Sequence, residues 1–134
     1  MNVEKSTRLP VKRAEDVVRV RQAVRVQAVD AGFSLVDQTK LVTAASELAR
    51  NALIYGRGGT MHWEILQGES ARGLKLLFAD EGPGIPNIDL AMTDGWTSGT
   101  GLGMGLSGAR RLVNDFHIDS RVGAGTRVAI TRWK

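Results

Sequence analysis

The sequence predicts an α+β domain, because helix-like and strand-like segments come in groups and do not strictly alternate. Three observations carry that expectation. Two long stretches in the first half repeat apolar residues at three- and four-residue steps, as amphipathic helices do. Two later stretches each hold a pair of alternating apolar runs around a glycine-bearing turn, as antiparallel hairpins do. A length of 134 residues with 43% hydrophobic and 24% charged side chains suits one hydrophobic core, so a single domain over 1–134 is expected.

Each element has a local reason. Residues 2–11 hold Thr7, Leu9 and Val11 at alternate positions and predict an edge strand ending near Pro10. From 13 to 31, Val17, Val20, Val24 and Ala28 form one apolar stripe, Glu15 and Asp16 sit in the first turn, and Gly32 supplies a stop. A second helix is expected over 37–55, with Leu41, Ala44, Ala45, Leu48 and Ala52 inward and Gly56 just past its end. Met61, Trp63 and Ile65 alternate, as do Leu74, Leu76 and Phe78, on either side of a turn at 68–73. The interval 81–104 has no period, two prolines and six glycines, and loops of that length are usually functional. Leu106, Ala109, Val113 and Phe116 then mark a third helix, and strands over 117–122 and 126–133 bracket Gly123-Ala124-Gly125.

Composition removes several function classes. The absence of cysteine excludes disulfides, cysteine zinc sites and thiol nucleophiles. No apolar run approaches the roughly 18 residues of a membrane span, and the polar start Met1-Asn2-Val3-Glu4-Lys5 has no apolar leader, so a cytoplasmic location with no membrane partner is expected. The net charge of +4 resides within the first 25 residues, where seven bases face three acids. With aromatics at 5%, no nucleic-acid partner is expected; the basic segment reads as a solvated helix face or a dock for an acidic protein surface. His62 and His117, the two histidines, read as ordinary surface or strand residues.

Three islands carry the chemistry: Glu47-Leu48-Ala49-Arg50-Asn51-Ala52, Asp80-Glu81-Gly82-Pro83-Gly84-Ile85, and Gly99-Thr100-Gly101-Leu102-Gly103-Met104-Gly105-Leu106. Glu47 and Asn51 are four apart, which places both side chains on one helix face, one turn from each other. There is no Gly-x-x-x-x-Gly-Lys-Ser/Thr phosphate loop and no His-Arg-Asp or Asp-Phe-Gly signature of the eukaryotic kinase fold.

In this order, and followed by Gly123-Ala124-Gly125-Thr126, the islands resemble the N box, G1 box, G2 box and terminal Gly-x-Gly-Thr of the GHKL ATPases, over roughly residues 35–130. The resemblance implies the Bergerat fold: a two-layer α/β sandwich whose mixed, mostly antiparallel sheet carries helices on one face. It also implies ATP and Mg2+ as cofactors. Asn51 would then be the metal ligand, its neutral amide oxygen supplementing phosphate oxygens and waters around a hard cation. Asp80 would accept a hydrogen bond from the adenine amino group, which guanine lacks at that position. Gly82 and Gly84 would turn the chain under the base. Backbone N–H groups of Gly101, Leu102, Gly103, Met104 and Gly105 would close over the phosphates, Leu106 opening a helix behind them and Thr126 completing the site. Arg50 would contact either a phosphate or an acid of a partner.

Histidine kinases commonly place Asn where this chain has Glu47, and a carboxylate there resembles the small serine kinases. It could take the proton of an attacking hydroxyl, or else orient Asn51 or a metal-bound water. Ser46 through Asn51, Asp80 through Pro86, Asp94-Gly95-Trp96 and Gly101 through Leu112 are similar in particular to the switch serine/threonine kinases of the bacterial stressosome, the RsbT type. Membership implies phosphorylation of STAS-domain scaffold or antagonist proteins. It further implies activation, after release, of an output protein such as a PP2C-type phosphatase. Two alternatives are an anti-sigma factor kinase of the RsbW or SpoIIAB kind that sequesters a sigma factor, and an inert ATP-binding interaction module. Pro83-Gly84-Ile85-Pro86 and Gly105-Leu106-Ser107-Gly108 favour the switch kinase over the first, and intact Glu47, Asn51 and Asp80 weigh against the second. The basic start of the chain is richer in Arg and Lys than that family leads one to expect.

Overall fold

A computed structural model describes residues 2–92 and 105–134. The elements run β1 (Asn2–Val11), α1 (Ala14–Asp30), α2 (Leu35–Ile54), β2 (Gly59–Gln67), β3 (Arg72–Asp80), α3 (Ile88–Ala91), α4 (Gly105–Arg111), β4 (Asp115–Arg121) and β5 (Gly125–Trp133). The strands form one sheet in the order β1-β2-β3-β5-β4. Among the described residues all four pairings are antiparallel. The architecture is the expected α+β arrangement, with the helix layer packed on one side of the sheet.

Strand parity explains which side. Met61, Trp63 and Ile65 of β2, Leu74, Leu76 and Phe78 of β3, and Val128 and Ile130 of β5 are buried, and they pair across the sheet in register. The alternate residues His62, Lys75, Leu77 and Ala129 are only partly covered and His117 is exposed, so both histidines lie on the face away from the helices. Onto the buried face α1 lays Val20, Val24 and Ala28, and α2 lays Leu41, Ala44, Ala45, Leu48 and Ala52. Each large side chain so covered contributes about 1.5–3 kcal/mol. Gly32, at φ +88°, ends α1 as its position predicts: its N–H reaches the Val29 carbonyl and that of Phe33 the Ala28 carbonyl.

Several boundaries differ from the periodicity reading, each for a local reason. α2 begins two residues earlier than expected because Ser34 caps it, its Oγ accepting from the Asp37 N–H at 3.2 Å. The interval after Asp80 contains a short helix, α3, capped by Asn87, whose Oδ1 accepts from the Leu90 N–H. α4 stops at Arg111, so Val113 and Phe116 are not helical. Leu112 closes a tight turn on Ala109, Asn114 donates its N–H to the Thr131 carbonyl, and Asp115 already pairs with Thr131. Sheet pairing overrides the three- and four-residue spacing there.

A polar tie joins the layers at the end of the sheet. Arg132 shares the helix-side face with its partner Leu74, and its Nη2 donates to Asp37 Oδ1 at 2.7 Å while Nη1 donates to the Leu112 carbonyl at 3.0 Å. Both charged side chains are more than two-thirds covered, so the contact is shielded from salt and water. Arg132→Met keeps the aliphatic stem and removes both bonds. It should lower unfolding free energy by about 2 kcal/mol in urea titration, and a change below about 0.5 kcal/mol would remove this tie as a source of stability.

Candidate functional site

Where the core stripe reaches the end of the sheet it turns polar. Asp80 follows Leu74, Leu76 and Phe78 on the same face of β3, and Thr126 precedes Val128 on the same face of β5, with Asp80 and Thr126 paired across the strands. Above them, Leu48, Asn51 and Ala52 on the last turns of α2 and Tyr55 at its C-terminal cap recur at helical spacing. Between this floor and roof lies a cavity of about 420 Å³, closed at one side by Pro83 to Asn87 and Leu90 and at another by Gly105 and Leu106. Its walls are mostly apolar, with a few convergent polar groups, the usual character of a small-molecule site.

Asp80 is held by the chain around it. Its Oδ1 accepts the Gly82 N–H at 2.9 Å, and the nearby backbone N–H of Thr126 also favours its charged form. Half-burial pushes its carboxyl above the ordinary value, and these two N–H groups oppose the shift without cancelling it. Close backbone packing sets this geometry. Gly125, at φ +83°, passes so near β3 that a Cβ would run into the carbonyl oxygen of Asp80, and Gly84, at φ +78°, leaves no room for one beside the carbonyl oxygen of Arg121. Gly82 lies against Gly56, where a Cβ would come within 2.6 Å of the Gly56 Cα. The loop under the cavity is pinned to the last hairpin: Gly123 donates its N–H to the Pro83 carbonyl, and Ser120 Oγ accepts the Ile85 N–H at 2.8 Å and lies 2.7 Å from Thr126 Oγ1.

Asn51, Asp80, Gly84, Gly105, Leu106 and Thr126, six of the residues singled out by sequence, line this cavity. Gly82 supports it from beneath. Glu47 and Arg50 are partly buried on α2 and do not line it; Glu47 stands one turn before Asn51 on the same helix face. Gly101, Leu102, Gly103 and Met104 lie outside the described residues, as does the Asp94-Gly95-Trp96 segment. Sequence reasoning missed Tyr55, Ile85, Asn87, Leu90 and Ser120 as site residues, and read Gly56 only as a helix stop. Gly56 is not left-handed; that conformation falls to Arg57 and Gly58, at φ +59° and +99°. Gly56 instead leaves space for the Asp80 carboxylate, against which a Cβ would lie. The recurrence of Leu48, Ala52 and Tyr55 on the face of Asn51 was a signal available in the sequence.

Comparison with known proteins gives the family. The family of histidine kinase-, DNA gyrase B-, and HSP90-like ATPases matches residues 36–134, and the chain belongs to it. Serine/threonine-protein kinase RsbT of Bacillus subtilis is 42% identical over 118 residues, covering 88% of this chain and 89% of that protein. Within the family the chain is accordingly an RsbT-like serine/threonine-protein kinase. Anti-sigma F factor of Clostridium acetobutylicum is 31% identical over 124 residues, covering 88% of this chain and 84% of that one. The fold recurs in the RsbU and RsbW domains of Rv1364c from Mycobacterium tuberculosis, at TM-score 0.64 and 21% identity, over 96% of this chain and 32% of that longer one. It recurs also in the mycobacterial sensor histidine kinase MprB, at TM-score 0.58 and 21% identity, over 96% and 97% of the two chains. ATP binding follows from the family. Among the described residues no helix is long and apolar enough to cross a membrane.

The raised carboxyl of Asp80 has a consequence for stability. A carboxylate whose folded value lies above its unfolded one contributes most below the unfolded value and loses that contribution as pH rises through the folded value. Asp80→Asn, which keeps an acceptor for Gly82 and removes the buried charge, should therefore gain stability relative to the parent chain as pH rises from 3 to 7. It should lose nucleotide affinity at the same time. Urea unfolding across that range checks it, and a variant that falls behind the parent with rising pH would contradict the burial argument.

Proposed function

We propose that residues 1–134 form a single kinase domain that binds Mg-ATP in this cavity and phosphorylates a serine or threonine of a STAS-domain scaffold or antagonist protein. Once released, the kinase activates an output protein such as a PP2C-type phosphatase, within cytoplasmic stress signalling. The observation that carries the reading is the convergence of Asn51 in the roof with Asp80 and Thr126 in the floor of one cavity, with Glu47 one turn from Asn51.

Adenine would lie over Phe78 and Val128, its amino group donating to Asp80; guanine has a carbonyl oxygen at that place and would set acceptor against carboxylate. The donor chemistry suits magnesium. Asn51 lines the cavity, and its neutral amide oxygen suits a hard cation that takes its other ligands from phosphates and water. Bound there, the ion would neutralise charge on the phosphate oxygens. Glu47 would accept the proton of the substrate hydroxyl as its oxygen attacks the terminal phosphorus and the bond to the ADP oxygen breaks. Gly101 to Gly105 would bring backbone N–H groups to the phosphates, and Arg50 would meet either a phosphate or a partner's acid.

The likeness to anti-sigma F factors favours a second reading, a kinase that also sequesters a sigma factor. Capture of a sigma subunit by the purified chain would establish it. The primary test is incubation with labelled ATP, magnesium and STAS proteins of the same genome, followed by mapping of the label. Transfer to a serine or threonine is expected. Glu47→Ala should bind ATP within about twofold of the parent and lose about 100-fold or more in transfer rate. Undiminished transfer would remove Glu47 as the base, and no transfer by the parent chain would leave an inert ATP-binding module.

A further inference from the structure

The last hairpin places a pair of hydroxyls at the edge of the cavity. Ser120 of β4 and Thr126 of β5 are direct partners across the strands, and their oxygens lie 2.7 Å apart, an ordinary length for an O–H···O bond. Thr126 lines the cavity beside Asp80, whereas Ser120 does not line it. Ser120 Oγ has two further partners: it accepts the Ile85 N–H at 2.8 Å and donates to the Gly125 carbonyl at 3.2 Å. A hydroxyl offers one proton and two lone pairs. The Ile85 N–H can only donate, so it takes one lone pair; the Gly125 carbonyl can only accept, so it takes the proton. What remains for Thr126 is the second lone pair of Ser120, and all three contacts hold together when the Thr126 hydroxyl is the donor.

We infer that Ser120 is a positioning residue for base selection, drawing the Thr126 hydroxyl proton to itself and so fixing Thr126 as a hydrogen-bond acceptor beside Asp80. The inference rests on the proposed seating of adenine in this cavity. With the proton so held, both polar side chains of the floor, the Asp80 carboxylate and the Thr126 hydroxyl oxygen, offer lone pairs only. A base that brings an amino group is matched by them. A base with a 6-oxo group sets its own acceptor against both, and an unmatched buried polar group is the strongest ground on which a site rejects a ligand. Without Ser120 Oγ the Thr126 hydroxyl turns freely about its C–O bond and can offer its proton to that oxo group. The bond from Ile85 makes the arrangement stiff, because the hydroxyl that orients Thr126 also ties down the loop closing one side of the cavity.

The test compares ATP with inosine triphosphate, whose base carries a 6-oxo group in place of the 6-amino group, by isothermal titration in the presence of magnesium. Ser120→Ala should reduce the preference for ATP about tenfold or more, chiefly through tighter binding of inosine triphosphate. Ser120→Thr keeps the hydroxyl and should restore the parent ratio. In a Thr126→Val background, Ser120→Ala should leave the ratio where it was. Equal weakening of both nucleotides by Ser120→Ala, the mark of a merely structural role, would overturn the inference, as would an undiminished effect without the Thr126 hydroxyl. No binding of either nucleotide by the parent chain would defeat the adenine seating itself. The tether is read separately in the nucleotide-free full chain. In a mixture of light and heavy water the carbon-13 resonance of Thr126 Cβ should split into two lines, because a bonded hydroxyl exchanges slowly, and should merge into one in Ser120→Ala. A single merged line in the parent would show that Ser120 does not hold the proton.

Discussion

A carboxylate drawn partly out of water is costly unless hydrogen bonds meet it, and Asp80 is such a group at the end of a central strand. The backbone N–H of Gly82 donates to it from its own loop, and that of Thr126 on the neighbouring strand also favours its charged form. For both to arrive, the loop after β3 and the start of β5 must crowd against Asp80. Gly125 passes its carbonyl and Gly82 rests on Gly56, contacts that side chains would block. The same crowding brings the end of α2 over the strand ends and so sets the height of the cavity.

The site is thus a continuation of the core and not an addition to it. On β3 the inward stripe runs Leu74, Leu76, Phe78 and then Asp80; on β5 it runs Ile130, Val128 and then Thr126; on α2 it runs Leu41, Ala44, Leu48 and then Asn51. On each element a polar residue enters the inward stripe at the same end of the molecule. The rigidity that positions Asp80 and Asn51 is therefore supplied by the packed interior immediately behind them, while the apolar walls left at the edge form a slot of suitable size for a flat base.

This continuity explains why so much could be read from the chain. Alternation through Phe78 to Asp80 and four-residue spacing through Leu48 to Ala52 locate both polar ends without coordinates, and the antiparallel pairings follow from short turns such as Gly123-Ala124-Gly125. Other features depended on partners distant in sequence. Arg132 meets Asp37 across 95 positions, Ser120 finds Ile85 across 35, and Gly56 matters because Asp80 folds against it, none of which local spacing encodes. Phe116 had helical spacing and went to a strand because pairing of Asp115 with Thr131 prevailed.

The proposed kinase reaction rests on purine recognition by the half-buried carboxylate of Asp80. Isothermal titration of the parent chain with Mg-ATP and, separately, Mg-GTP addresses that point directly. Saturable binding of ATP with GTP at least 100-fold weaker is the predicted result, since a misplaced acceptor facing Asp80 leaves the carboxylate unsatisfied. Equal affinity for the two nucleotides, or no heat with ATP, would contradict it.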